Sequence, residues 1–163
     1  MITYTHLDKT QKDQWLPRLF DLYYLNMSPI APNGLSYEEE RSQWLSAVSP
    51  ALDKAPRQIL LCCKDDELAG YVQYYTREDL LMIEEVQISP DCQHSSVFLS
   101  LIRALIRLLP DGVRHVEAYA DCRNRRSISL MERLGMTQLP QQEGPRFVHL
   151  RGCAGEMQGK FLR

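Results

Sequence analysis

Most residues of this chain that can do chemistry fall in two short stretches. The first is Glu84-Glu85-Val86-Gln87-Ile88-Ser89-Pro90, continued by Gln93-His94-Ser95-Ser96 and an apolar run. The second is Asn124-Arg125-Arg126-Ser127-Ile128-Ser129-Leu130-Met131-Glu132-Arg133-Leu134-Gly135-Met136. A loop that opens a helix offers unpaired N–H groups at the positive end of the helix dipole, which suits an anion. Ser95 and Ser96 add hydroxyls there, either as further donors or simply as helix caps. Asn124 has the side-chain oxygen of an N-cap, and Gly135 stands where that helix should stop. Strand alternation sends Glu84 and Glu85 to opposite faces. Cysteines at 62, 63, 92, 122 and 153 are odd in number and lack a Cys-x-x-Cys pair, so reduced and mostly buried thiols are expected. His6, His94, His115 and His149 are scattered without metal-ligand spacing, and no metal site is expected.

The elements that must position these residues follow from periodicity and punctuation. Met1 to Leu7 alternates as an edge strand, and Asp8 or Thr10 can cap the helix carrying Trp15, Leu19, Leu22 and Tyr23. Pro29, Pro32 and Gly34 impose a loop, and Ser36 with Glu39 forms a capping box for a second helix through Trp44, Leu45 and Val48. Three strands follow, Gln58 to Cys63, Leu68 to Thr76 and Leu81 to Ser89, joined by polar turns as an antiparallel meander. Val97 to Leu109 is apolar on nearly every side except the stripe Ser96, Ser100, Arg103 and Arg107, which marks a helix buried over most of its circumference. A strand from His115 to Ala120, the helix after Asn124, and a hairpin of Met136 to Leu139 with Arg146 to Leu150 around Gln141 to Pro145 complete the order.

That order predicts an α/β domain with a mixed sheet of about seven strands and helices on both faces. The strand at His115 runs parallel to Leu81–Ser89 across a helical crossover, and ligands collect at the carboxyl ends of such strands where neighbours diverge. One domain over residues 1–152 is expected, with a loosely held tail over 153–163. Of the 163 residues, 25% are charged and 44% hydrophobic, ordinary proportions for a globular domain. The net charge of −2 opposes a nucleic-acid partner, despite the basic knot of Arg123, Arg125 and Arg126. No apolar stretch suits a membrane span, and Met1 to His6 has no secretory pattern, so a cytoplasmic location is expected.

The order and four short motifs resemble the GNAT N-acetyltransferase superfamily over roughly residues 1–152. Glu67-Leu68-Ala69-Gly70-Tyr71-Val72 is similar to its turn and third strand, and Glu84 to Pro90 to its fourth strand, which bulges away from the fifth. Gln93-His94-Ser95-Ser96-Val97-Phe98 occupies the place of its Gln/Arg-x-x-Gly-x-Gly/Ala pyrophosphate loop. Asn124 to Met136 is similar to Asn-x-x-Ala-x-x-x-Tyr-Glu-Lys-x-Gly-Phe. The resemblance implies direct transfer of an acetyl group from acetyl-CoA to a primary amine of a small molecule or peptide. It also implies cofactor contacts from Val86, Gln87, Ile88, Gln93, His94, Ser95, Ser96, Val97, Phe98, Asn124 and Met131. Glu84 would hold or deprotonate the amine, with Glu85 a weaker choice, and Tyr119 stands where a proton-relay group is found in some protein-acetylating members.

Two departures keep a second reading open. Ser96 and Phe98 replace loop glycines, and Met131 replaces a tyrosine that protonates the leaving thiolate; a thioether cannot donate a proton. The alternative is a catalytically weak or inactive acyl-CoA-binding or partner-binding module. The arginine knot either holds the 3′-phosphate of CoA or is surface charge. Tyr23, Tyr24, Tyr37 and Trp44 either shape an acceptor pocket or belong to the core. Exposed sheet edges often pair in such domains, so a homodimer stays open.

Overall fold

Short turns make sequence neighbours into sheet neighbours in the computed structural model, which describes residues 1–54, 56–140 and 146–161. β1 (Ile2–His6), β2 (Gln58–Lys64), β3 (Glu67–Arg77) and β4 (Leu80–Ile88) pair antiparallel in that order. The β2–β3 turn puts Asp65 and Asp66 at φ of 51° and 68°, a left-handed geometry that short polar side chains tolerate. α3 (Val97–Arg107) then returns the chain so that β5 (His115–Asp121) enters parallel to β4. α4 (Arg125–Arg133), β6 (Thr137–Gln138) and β7 (Phe147–Cys153) complete the seven-stranded order β1-β2-β3-β4-β5-β7-β6. The expected mixed sheet with helices on both faces is the observed architecture.

Each face of the sheet carries its own core. α1 (Lys12–Met27) and α2 (Tyr37–Asp53) bury Leu16, Leu19, Phe20, Trp44, Val48 and Leu52 against Ile59, Leu61 and Tyr71. On the other face α3 buries Val97, Phe98, Leu101, Ile102, Leu105 and Ile106, beside Ile128 and Met131 of α4. Each large aliphatic side chain so buried contributes about 1.5–3 kcal/mol. Helix ends are held by the residues the sequence singled out. Ser36 Oγ accepts from Glu39 N–H at 3.2 Å while Glu39 Oε2 accepts from Ser36 N–H at 2.8 Å, a closed capping box. Asn124 Oδ1 accepts from Ser127 N–H at 3.1 Å and so fixes the start of α4. Gly135, at φ 98°, ends it: Gly135 N–H reaches Glu132 O and Met136 N–H reaches Met131 O, at 2.9 and 3.2 Å.

Two expectations are corrected. The tail is not loosely held, because residues Ala154–Phe161 form α5 and bury Ala154 and Met157 to 0% and 1% exposure against the α3–α4 face. Gly155 and Gly159 mask that helix in the sequence, since glycine is a poor helix former. The thiols are less buried than composition suggests, for Cys122 and Cys153 are exposed. The expected closing hairpin is present, with Thr137 and Gln138 paired to β7 and Leu139 N–H donating to His149 O at 2.8 Å; its turn at Gln141 to Pro145 lies outside the described residues. Among the described residues no helix is long and apolar enough to cross a membrane.

Candidate active site

β4 and β5 part company halfway along. They pair only from Leu80 opposite His115 to Ile83 opposite Ala118. Beyond that point β4 stays with β3 as far as Ile88, and β5 stays with β7 as far as Asp121. The β3–β4 register slips where Gln73 faces Glu85 and Tyr74 faces Ile83, so Glu84 is the extra residue of a bulge that turns β4 away. Gly70 lets the far end of β4 settle on β3, because a Cβ there would sit 2.6 Å from Gln87 O and 2.8 Å from Ile88 Cδ1. Ser89 N–H donates to Ala69 O at 2.9 Å, which sets the ladder's alternation. Gln87 and Glu85 therefore bond to β3, and the N–H groups of Val86 and Ile88 point into the gap.

Two cavities meet at this gap. One of about 350 Å³ is walled by Leu25, Met27, Ile30, Phe98 and Leu130, with Asn26, Gln93 and Arg126 at its polar edge. The other, of about 210 Å³, is lined by Tyr23, Asn33, Glu84, Glu85, Tyr119, Asp121, Arg146 and Phe147. They share Met27, Val86, Gln87, Asn124 and Ser127. Between the parted strands a third pocket of about 30 Å³ reaches down to Met131.

The bulge also overturns the expected orientation of the two carboxylates. Glu84 and Glu85 both meet side chains of the α1–α2 face, because the extra residue interrupts alternation. Glu84 is taken up by Arg57, whose Nε and Nη2 donate at 3.0 and 2.8 Å, and by Gln73 Nε2 at 3.0 Å. Glu85 receives Tyr71 Oη–H and, at 3.4 Å, Trp44 Nε1–H. Burial pushes the Glu85 carboxyl up to about 7, with the nearby Glu84 charge adding to the rise and the two donors opposing it. Glu85 thus lines the second cavity with no cation paired to it among the described residues. Tyr23, donating to Glu40 at 3.3 Å, is pushed up to about 12 by burial and by the Glu40 and Glu85 charges. Its phenol stays protonated. Asp121 is buried and held well below the usual carboxylate range by the Arg123 guanidinium, with Arg146 Nε also donating at 3.0 Å.

The loop before α3 is tied down by side chains rather than glycines. Gln93 Nε2 donates to Asn26 Oδ1 at 3.0 Å, and Arg126 donates to both the side-chain and backbone oxygens of Gln93. Ser95 Oγ donates to Cys92 O and accepts from Val97 N–H, so its hydroxyl serves the turn. Ser96 precedes α3 without a side-chain cap. His94 is exposed. The amides of His94, Ser96 and Phe98 have no backbone acceptor among the described residues. The Phe98 ring turns into the core and leaves the gap open.

Val86, Gln87, Ile88, Gln93, Phe98, Asn124 and Met131 are thus brought to the gap or the cavities around it. The Gln87 side chain, however, is buried under α1, where its Oε1 accepts from Asn26. Glu84 lies at the gap but is occupied. Tyr119 lines the second cavity with its ring stacked on His149 at 4.3 Å between centroids. Of the arginine knot, Arg123 is paired with Asp121 and Arg126 with the loop. Asn26, Arg57 and Ser127 had gone unremarked. A polar residue between Leu25 and Met27, breaking the apolar run Leu22 to Met27 of α1, was the available signal for Asn26. Among the described residues no cluster could hold a metal ion.

The family model described as Acetyltransferase (GNAT) family matches residues 16–136. No curated protein sequence matches the chain. Among solved structures it is similar to the PaiA N-acetyltransferase of Thermoplasma acidophilum, crystallised with coenzyme A, at TM-score 0.75 and 11% identity over 94% of this chain and 99% of that one. An acetyltransferase of Thermus thermophilus superposes at TM-score 0.72 with 16% identity, covering 94% and 97%. The ribosomal-protein-S18-alanine N-acetyltransferase of Escherichia coli does so at 0.65 with 16% identity, covering 94% of each.

Proposed function

The chain belongs to the GNAT acetyltransferase family, and from that premise we propose that it moves the acetyl group of acetyl-CoA to a primary amine of a small molecule or peptide. The observation that carries this reading is the unpaired edge of β4, where the Val86 N–H faces the meeting point of two cavities. The residues present fit the co-substrate. The larger, mainly apolar cavity accommodates a pantetheine arm, and the amides of His94, Ser96 and Phe98 at the start of α3 are free to receive phosphate oxygens. When bound, the thioester supplies an activated acyl carbon.

The chain's own groups do the rest. Val86 N–H donates to the carbonyl oxygen, where negative charge develops. An alkyl ammonium is not a nucleophile near neutral pH, so the acceptor must lose a proton. Glu85, with its carboxyl at about 7, takes that proton close to the pH at which a base is most effective. Glu84 is already engaged by Arg57 and Gln73 and acts on the reaction through its charge on Glu85. Tyr23, Glu84, Glu85 and Tyr119 give the acceptor cavity an acidic, aromatic lining suited to a cationic amine. Holding both partners in one cleft supplies much of the rate through orientation.

Calorimetric titration with acetyl-CoA, followed by thiol release with a panel of amines, tests the assignment. Binding with turnover of at least one amine is expected, and absence of binding at millimolar concentration ends it. Met131 favours one other reading, a scaffold that binds acyl-CoA without turnover. It requires CoA-dependent thermal stabilisation with every amine inert, and any acetyl transfer refutes it.

A further inference from the structure

Breaking a thioester places negative charge on sulfur, and some donor must meet it. The acyl group has to sit where the two cavities join, since the nucleophile arrives through one and the thioester through the other. Five residues line both cavities, Met27, Val86, Gln87, Asn124 and Ser127, and only Ser127 carries a hydroxyl. Asn124 is committed, its Oδ1 to Ser127 N–H and its Nδ2 towards Met27 Sδ at 3.7 Å. Gln87 is buried and turned to Asn26. Ser127 also lines the small pocket between the parted strands, together with Val86 and Met131. Its hydroxyl bonds to no other described residue.

The position on α4 matters as much as the chemistry. Ser127 and Met131 are four residues apart, hence on one face, with Ser127 a turn closer to the positive end of the helix. The Met131 thioether cannot donate, whereas the Ser127 hydroxyl can.

We propose that Ser127 Oγ–H is the hydrogen-bond donor to the departing CoA sulfur; the inference rests on the acetyl-transfer reading. In the step, the bond from acceptor nitrogen to carbonyl carbon forms and the carbon–sulfur bond breaks. The carbon–sulfur electron pair leaves on sulfur, and the proton that nitrogen sheds in this step passes to solvent, because Glu85 already holds the one taken from the ammonium. Ser127 keeps its own proton, shared in a hydrogen bond, because an alcohol is a far weaker acid than a thiol of pKa about 8.5. Solvent then protonates the thiolate.

The test reads the sulfur directly. CoA is titrated with pH in the presence of excess protein, and its thiolate absorbance is followed after subtraction of the protein-alone signal, for wild type and Ser127→Ala. The bound thiol is expected to ionise at lower pH in the wild type, with an ionisation constant about tenfold larger than in the variant. The kcat of Ser127→Ala should fall roughly tenfold while its Kd for CoA stays within about twofold, and Ser127→Thr should restore both thiol ionisation and kcat. Alanine favours helix, so the variant keeps α4. Wild-type protein that binds no CoA overturns the acetyl-CoA reading and this inference with it. CoA that binds both proteins and ionises identically in each overturns the role of Ser127 and leaves the acetyl-CoA reading standing.

Discussion

Glu85→Gln separates what the buried carboxyl does for the reaction from what it costs the fold. The folded-state carboxyl sits at about 7 against an ordinary 4.5, raised chiefly by burial. A raised acid favours the folded state when protonated, so this contribution is full below pH 4.5 and is lost as pH rises to about 7. The shift corresponds to about 3 kcal/mol, a ceiling because the acceptor cavity admits water to one side of the group. Glutamine resembles the protonated acid in shape and carries no charge to bury. Glu85→Gln should therefore match the wild type near pH 4.5 and exceed it by up to about 3 kcal/mol at pH 8, a melting temperature higher by roughly 5–10 °C. Thermal unfolding across that range measures this without knowledge of the acceptor. In the thiol-release assay the same variant should lose about 10²–10⁴-fold in kcat, together with the acid limb near pH 7. Melting curves that run parallel at every pH, with turnover unchanged, refute both the burial of this charge and its role as the base.

Neighbours of Glu85 should move its titration in opposite directions. Tyr71→Phe removes a donor that lowers the Glu85 pKa and should shift the acid limb upward, whereas Glu84→Gln removes a charge that raises it and should shift the limb downward; pH–rate profiles distinguish the two. Glu84→Gln should leave acetyl-CoA affinity nearly intact by calorimetry, since Arg57 and Gln73 hold the side chain away from the larger cavity. Gly70→Ala places a methyl 2.6 Å from Gln87 O, and should cost about 1–3 kcal/mol in denaturant unfolding and weaken CoA binding by displacing the end of β4. Gly135→Val forces a branched side chain to φ 98° and should cost roughly 1 kcal/mol or more, seen as a lower melting temperature.

Local signals were enough for the framework. Alternation, punctuation by proline and glycine, the Ser36–Glu39 box and the Asn124-to-Gly135 helix are encoded within a few residues of each other, so the element order as far as β7 and the parallel crossover to β5 could be read directly. Short-range chemistry also marked the stretch from Glu84 to Phe98 as one to watch. What lay beyond the sequence was every feature that depends on one strand's register against another. The slip between Gln73 and Tyr74 makes Glu84 a bulge residue, brings Glu85 to the same face, and leaves Glu84 to Arg57 from 27 positions away. The Glu85 carboxyl is raised by burial against Tyr71 and Trp44, which come from another strand and another helix. Gln93, Asn26 and Arg126 hold a loop that lacks its glycines, and three distant segments must fold before they meet. The sequence alone determined which elements form up to β7, because hydrogen bonding and side-chain periodicity within an element are local; α5, masked by Gly155 and Gly159, needed its packing on the α3–α4 face to show. Only tertiary structure decided which acid is held by an arginine and which is raised by burial, because desolvation and pairing are properties of neighbours far apart in the sequence.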